Sequence, residues 1–397
     1  MKKPSILFYN FGAKYGGAEI VLLKYLEQTS DKIEFKVLLN EYGPFHEKLI
    51  AAQIPVEVIA TRAERFYAIK RGDVFSLKLV RLLPAALGLF FQVIKYFKMN
   101  KFDLIVSNTF KSHLILGFAT RFYGFNGVWR FHDILQREHR YNHFSRINIL
   151  LMKMLAPSIT RILTVSQAVT DSFLDYGFEA SKLRLVRNGL DVLPTVPNRS
   201  SRGPKPIRIG WIGQFSPWKG IEEFLTLCKL LIDRKSQIKD TFEFVIAGSA
   251  LFGEEEYETH LKGMIEGDYK AFFTFVGHIS DVDSFYSEID IYMHTSIAPD
   301  PFPTTILEAG SRGLLVLASE LGGASEILQE GITGFLINLN DVNATLDITL
   351  EVLNNFEVHR SKGTALKKRI DAELNSSKYR HQFETELLKV VKNHAIT

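Results

Sequence analysis

The chain has 397 residues, 46% hydrophobic and 23% charged, with one cysteine and a formal net charge of +4. That length sets an expectation of two domains, and the composition excludes a disordered or low-complexity chain. The lone Cys228 excludes an internal disulfide and suits a reducing compartment; in the helical run from 221 to 232 it reads as a small core residue. The net charge conceals a polarity. Residues 1–195 hold 27 Lys and Arg against 16 Asp and Glu, an excess of 11, whereas residues 196–397 hold 21 against 28, a deficit of 7. The first half is therefore expected to face an anionic partner, with nucleic acid and an anionic membrane surface as the two candidates.

The chain opens on Ile6-Leu7-Phe8-Tyr9, a buried-strand run too short for the apolar core of a cleavable signal peptide, so none is expected. A glycine-rich turn with Gly12, Gly16 and Gly17 follows, then a helical pattern through Ile20, Leu23 and Leu26. Strand, glycine turn and helix make the first unit of a doubly wound domain. The glycines are not at dinucleotide spacing, which weakens a nicotinamide reading, and a tight turn with positive φ would also explain them. Phe35-Lys36-Val37-Leu38-Leu39 and Pro55-Val56-Glu57-Val58-Ile59 continue the strands, with a helix from Phe45 to Ala52 between them.

From 62 to 102 the pattern changes. Arg62, Arg65, Lys70, Arg71, Lys78, Arg81, Lys95, Lys98 and Lys101 flank Phe66, Tyr67, Phe75, Phe90, Phe91, Tyr96 and Phe97. The uncharged stretch from Leu82 to Ile94 contains Pro84 and Gly88 and is too short to span a bilayer. Basic residues around an aromatic, apolar segment suit a helix lying in a membrane interface. The competing reading packs Leu87, Val93 and Phe97 on the sheet with the basic groups in solvent. Long apolar runs without a recognition motif argue against nucleic acid.

Strands then alternate with helices. Phe102 to Asn108 is a strand that ends in small polar residues, and Gly127-Val128-Trp129-Arg130-Phe131 is a strand that runs into His132-Asp133. Polar groups at the C-terminal ends of such strands are where crevice ligands bind. Ile162 to Ser166 and Leu183 to Val186 are further strands, and Arg187-Asn188-Gly189-Leu190-Asp191 leads to a Pro- and Ser-rich linker at 194–206.

The second half repeats the pattern. Ile207 to Gly213 is a strand, followed by Gln214-Phe215-Ser216-Pro217-Trp218-Lys219-Gly220 and an amphipathic helix. Phe242 to Ser249, with a turn at Gly248, and Phe273 to His278 are strands. Asp281-Val282-Asp283 spells a D-x-D, a metal-binding pattern, but it precedes a helix from Val282 to Ile289, where acids serve the helix dipole. After the strand from Ile289 to His294 comes Pro299-Asp300-Pro301-Phe302-Pro303, a loop that can be neither helix nor mid-strand. Thr304 or Thr305 can cap the next helix, which Gly310 and Gly313 are expected to end early. Leu314 to Ala318 is a buried parallel strand, and a Gly322-Gly323 turn with Glu326 follows. A loop feeding a helix N-terminus presents free N–H groups to an anion; Glu308 there would repel phosphate and is better matched to hydroxyls.

The stretch from Asp300 to Glu326 resembles the signature of the retaining glycosyltransferases of family 4. That family usually shows two glutamates eight apart, Phe-Gly after the first, then E-A-x-x-x-G and a later G-G-x-x-E. Asp300, Phe302, Glu308-Ala309, Gly322-Gly323 and Glu326 stand at those positions; Asp replaces the first Glu and Pro303 the glycine. Lys219-Gly220 matches the family's G-R-x-x-x-x-K-G turn, with Gln214 in place of the arginine. Gly16-Gly17-Ala18-Glu19, His132 and the segment from Val186 to Asp191 match as well.

The resemblance implies an α/β protein of the GT-B fold, two Rossmann-like doubly wound domains facing a central cleft that closes about the linker. Residues 1–193 would form an acceptor domain with a membrane-facing segment near 62–102, and 207–375 a nucleotide-sugar donor domain. Residues 376–397 would form a helix crossing back to the first domain. The implied activity is retaining transfer of a sugar from a nucleotide-sugar to a saccharide or lipid-linked saccharide. It belongs to cell-surface polysaccharide or lipopolysaccharide synthesis on the cytoplasmic face of the membrane. His132, Asp300 and Glu308 would act at the reacting sugar and the ribose. Gly17, Gly213, Gln214, Lys219, Gly248, Phe302, Thr304 and Thr305 would bind the donor. Gly16, Asn108, Arg130 and Arg137 would face the acceptor. No metal and no cofactor beyond the nucleotide-sugar are expected, and no nucleic-acid partner. A nucleotide-sugar epimerase and a non-catalytic, membrane-associated subunit of the same fold stay open as alternatives.

Overall fold

The computed structural model describes residues 3–29, 31–60, 77–136, 144–191, 193, 206–239, 241–250 and 254–394, with only the backbone for 77–83. The chain divides into two compact units, one formed by residues 1–188 and 376–397, the other by 189–375. The basic stretch from 62 to 76, Arg137 and most of the linker lie outside the described residues.

The first unit holds a seven-stranded parallel sheet: β1 (Ser5–Tyr9), β2 (Glu34–Leu39), β3 (Val56–Val58), β4 (Leu104–Ser107), β5 (Gly127–Phe131), β6 (Arg161–Thr164) and β7 (Leu183–Leu185). Their order is β3-β2-β1-β4-β5-β6-β7. The order reverses between β1 and β4, which pair with Tyr9 opposite Ser107, and that is where a doubly wound sheet opens a crevice at its C-terminal edge. Apolar residues on β1, β2 and β4 are buried on both faces, Ile6, Phe8, Val37 and Val106 on one and Leu7, Leu38 and Ile105 on the other, as a parallel sheet requires, and fully burying a Phe or Leu contributes about 1.5–3 kcal/mol each. The helix Ser376–His394 belongs to this unit: Tyr379, Phe383, Leu387 and Val390 enter its core, and the Phe383 ring meets Tyr25 edge-on at 4.7 Å.

The helix Leu77–Asn100 carries Pro84 within it. Its Leu89, Val93, Ile94 and Phe97 are buried, with Phe97 edge-on to Tyr9 and Phe125. Leu87 and Phe91 are exposed, so the packed face takes Val93 and Phe97 but not Leu87. The neighbouring helix Phe110–Tyr123 exposes Phe122, and Lys98 lies 4.5 Å over the Tyr123 ring. Among the described residues, no helix is long and apolar enough to cross a membrane.

The second unit has a six-stranded parallel sheet: β8 (Ile207–Ile212), β9 (Phe242–Ala247), β10 (Phe273–Gly277), β11 (Ile291–His294), β12 (Leu315–Ser319) and β13 (Phe335–Ile337). Their order, β10-β9-β8-β11-β12-β13, repeats the reversal at the β8–β11 pair. Leu190 belongs to this unit: its amide donates to the Leu374 carbonyl at 3.1 Å and it bridges Asn375. The division therefore falls at residue 189, before the position expected from the linker composition.

Two local expectations are corrected. The helix after the proline loop, Thr304–Ser311, has Pro303 as its N-cap and no side-chain cap, so Thr304 and Thr305 are its first two helical residues. Gly310 does not end that helix. It lies inside it, where an added Cβ would come within 2.5 Å of Leu366 and 2.7 Å of Ile370, so its glycine serves close packing on the helix Ser361–Glu373. Gly313, with φ +82, provides the left-handed residue beyond the end.

Candidate functional site

In the second unit the loop after β8 and the loop after β11 meet at the switch point. Gly220 caps the helix Ile221–Asp233 with φ +67, and a Cβ there would lie 1.6 Å from the Thr295 carbonyl oxygen. The contact is closed by side chains: Thr295 Oγ1 donates to the Gly220 carbonyl at 2.7 Å and accepts from Trp211 Nε1 at 3.0 Å. The Ile297 amide donates to the Trp218 carbonyl at 3.0 Å. These bonds put Lys219 beside the proline loop.

Lys219 Nζ is 2.7 Å from Asp300 Oδ2 and 4.0 Å from the centroid of the Trp218 ring. His294, the last residue of β11, brings Nε2 to 3.6 Å from the same oxygen and 3.1 Å from Ser296 Oγ. Burial by itself would raise the Asp300 carboxyl, but the Lys219 ammonium and the His294 ring outweigh it and hold it well below the usual carboxylate range. Burial lowers His294 against the opposing pull of Asp300, which favours the neutral ring. The cluster is a fixed anion held by one cation, at the sheet edge where the fold binds ligands.

The Gly322-Gly323 turn folds onto this loop. The Gly323 amide donates to the Asp300 carbonyl at 2.8 Å, and a Cβ on either glycine would come within 2.3 Å of the loop backbone. Phe302 is buried under it. The amides of Thr304 and Thr305, at the first two positions of the helix, have no acceptor within the helix and suit an anion. The Thr305 hydroxyl faces Tyr292. Glu308, one turn on, accepts from the Tyr286 hydroxyl at 3.0 Å. Gly248, with φ +137, lets its loop approach the Gly213 carbonyl, and Gln214 is exposed.

The D-x-D acids are committed within the protein. Asp281 caps the helix Val282–Ser287 by accepting from the amides of Asp283 and Ser284, and Asp283 pairs with Arg312. Among the described residues, no group of three or more potential metal ligands occurs.

In the first unit a chain of amides runs along the ends of β1, β4 and β5. Asn10 Nδ2 donates to the Gly12 carbonyl at 2.7 Å and to Glu19 Oε1 at 3.3 Å. Both partners are acceptors, so the orientation of the Asn10 amide is fixed. Its Oδ1 then accepts from Asn108 Nδ2 at 3.0 Å, which turns Asn108 Oδ1 towards His132 Nε2 at 2.9 Å. Arg130 Nε donates to the same nitrogen at 3.2 Å, and its Nη2 donates to Asn188 Oδ1 at 2.7 Å. The guanidinium is buried against the rings of Phe383 and Tyr379, 4.3 and 4.8 Å away. Burial, the Arg130 charge and His113 together push His132 well below its ordinary value. Gly16 is extended, with φ −119, and precedes the helix Gly17–Glu27, its amide donating to Glu19 Oε2 at 3.2 Å. The positive-φ explanation of Gly16 therefore fails.

The structure thus brings Lys219 and Asp300 together in one cluster, with Phe302, Thr304, Thr305 and Glu308 on the loop and helix that follow. It brings Asn108, Arg130 and His132 together in another. Arg130 is enclosed by protein on every described side, which sets it apart from an acceptor-facing residue. His294, Asn10, Asn188 and Tyr286 were not singled out from sequence. A polar residue at a strand end, the signal that found His132, also marks His294 and Asn10.

Comparison with known proteins gives concordant results. Residues 15–192 match the family model described as Glycosyltransferase Family 4, and 195–369 match Glycosyl transferases group 1. The chain is 26% identical over 203 residues to spore coat protein SA of Bacillus subtilis, covering 46% of this chain and 52% of that protein. It is 25% identical over 201 residues to the amylovoran biosynthesis glycosyltransferase AmsK of Erwinia amylovora, covering 48% and 47%. The chain thus spans about half the length of these curated relatives. The crystal structure of Anabaena HepE in complex with UDP-glucose is similar at a TM-score of 0.79 and 26% identity, covering 97% of this chain and 99% of that one.

Proposed function

Because the chain belongs to the group 1 and family 4 glycosyltransferases, enzymes of the GT-B fold, we propose that it moves a sugar from a nucleotide-sugar to a saccharide or lipid-linked saccharide with retained configuration. Its place would be cell-surface polysaccharide or lipopolysaccharide synthesis, on the cytoplasmic side of the membrane. The observation that carries this reading is the Lys219–Asp300 pair at the β8–β11 switch point, beside the open amides of Thr304 and Thr305. UDP-glucose in HepE makes a UDP-sugar the first donor to test.

In this reading the protein's work is electrostatic. Lys219 and the Thr304 and Thr305 amides take up the charge that develops on the departing diphosphate. Asp300, kept ionised, accepts hydroxyls of the transferred sugar, and Glu308 accepts those of the ribose. His132 lies in the first unit, where Asn108 and Arg130 both reach its Nε2. Gly16 and Gly17 lie at the helix start beside that amide chain. The D-x-D acids already have partners, which supports a donor site that does without a metal. Exposed Leu87, Phe91 and Phe122, with Lys95 and Lys98 on the same helix as Leu87 and Phe91, support contact with an anionic membrane surface. Salt-dependent binding to anionic vesicles, and none to oligonucleotides, is expected.

The test is a thermal-shift panel of UDP-, GDP- and ADP-sugars on the wild type and Lys219→Ala, with and without added divalent metal. One nucleotide should raise Tm without metal, and the variant should lose that shift. A folded wild type that responds to none of them would sink the transferase reading.

A further inference from the structure

Behind Glu308 lies a support that the acid motif does not contain. Tyr286, on the helix Val282–Ser287, is fully buried, and its hydroxyl reaches Glu308 Oε2 at 3.0 Å. The Thr305 carbonyl is 3.3 Å from the same hydroxyl, but a carboxylate at the shorter distance is the stronger acceptor. Burial first, and the charge of Glu308 next, push the Tyr286 hydroxyl well above its ordinary value, so it remains a donor. Arg312, just past the helix that carries Glu308, covers the Tyr286 ring at 4.6 Å. Its Nη1 donates to the Glu308 carbonyl at 2.6 Å and its Nη2 pairs with Asp283. Asp283, Arg312, Tyr286 and Glu308 therefore form one connected assembly, in which an acid that spells a metal motif serves as the outer anchor.

We propose that Tyr286 is a positioning residue for nucleotide recognition: its hydroxyl holds the Glu308 carboxylate in the rotamer that receives the ribose hydroxyls, and Arg312 and Asp283 hold Tyr286. The proposal rests on the reading that Glu308 binds the ribose. A carboxylate has about four acceptor sites, of which the bond from Tyr286 uses one. A glutamate has three rotatable bonds, and fixing them before the ligand arrives removes an ordering cost from binding.

Tyr286→Phe keeps the ring and removes the hydroxyl alone. Titration calorimetry would compare UDP, GDP and ADP with their 2′-deoxy counterparts. The wild type should favour the ribonucleotide it binds by about tenfold or more, the effect of one hydrogen bond to a charged group. In Tyr286→Phe that preference should fall to about threefold or less, through weaker binding of the ribonucleotide. Asp283→Asn, at an exposed side chain, should lower the preference in the same direction by a smaller factor. If Tyr286→Phe weakens both forms equally, or keeps the wild-type preference, the positioning role is overturned while the ribose reading stands. A wild type that binds both forms alike, or binds none of the nucleotides, overturns the ribose reading and this proposal together.

Discussion

In the first unit, the loops after β1, β4 and β5 carry neutral amides that end on a histidine whose pKa is lowered by its burial and then by a neighbouring buried arginine. In the second, the loops after β8 and β11 carry a buried carboxylate kept charged by a lysine. Both sets occupy the reversal of one strand order. The means of support differ as well. The first set is held by side-chain hydrogen bonds, and the second by backbone approaches that only glycine permits. Topology chooses the edge at which polar groups gather; side-chain chemistry then decides whether that edge presents a proton-sensitive neutral group or a fixed charge.

The largest expected effect tests the difference in support. Gly220→Ala should destabilise the protein by about 3–5 kcal/mol, because a Cβ meets a carbonyl oxygen at a left-handed φ. Asn10→Ala, which breaks the amide chain of the first unit, should cost about 1–2 kcal/mol. Urea denaturation measures both, and the contrast fails if Asn10→Ala is the costlier change.

A smaller effect follows from pH. His132 and His294 have folded pKa values lowered below the unfolded value of about 6.5. Below that pH the unfolded chain binds more protons, so their stabilisation is present above about pH 6.5 and is lost as pH falls. Each contributes a slope of at most ~1.4 kcal/mol per pH unit. Asp300 is also lowered, from about 3.9, so its contribution persists down to about pH 4–5. Arg130→Met removes the cation beside His132 and should flatten the stability profile between pH 6.5 and 5. An unchanged slope would mean that Arg130 does not set the charge state of His132.

The smallest effect concerns the exposed face of the first unit. Phe91→Ser with Phe122→Ser should weaken sedimentation with anionic vesicles about tenfold, or ~1.4 kcal/mol. Equal binding by the variant and the wild type would remove this face as the membrane contact.

Much of this was legible in sequence because it is local. Alternating apolar runs and turn residues marked the strands of both sheets, and the spacing of Lys219-Gly220, Asp300, Glu308 and Gly322-Gly323 marked the loops around the second switch point. The less accurate readings concern groups whose role depends on a distant neighbour. Gly310 looked like a helix stop because its contacts with Leu366 and Ile370 come from another helix. Gly16 also admitted a left-handed turn, because the bond from its amide to Glu19, three residues on, requires the helix to be in place. Arg130 looked like a ligand-facing cation because the aromatic rings that enclose it come from the far end of the chain.

The sequence by itself determined the class of the protein: two doubly wound units, a lysine–glycine turn, a proline loop with two acids, and a basic, aromatic segment in the first half. These follow from periodicity and from residue types with few conformational options, which act over a few residues. The tertiary structure alone decided which charges meet. That Lys219 ends on Asp300, that Tyr286 and Arg312 hold Glu308, and that Asp283 anchors a positioning assembly depend on residues tens of positions apart. Hydrogen bonds fade within a few ångströms and charge pairs weaken with distance and screening over about 10 Å, so both are set by the packed distances and not by separation along the chain.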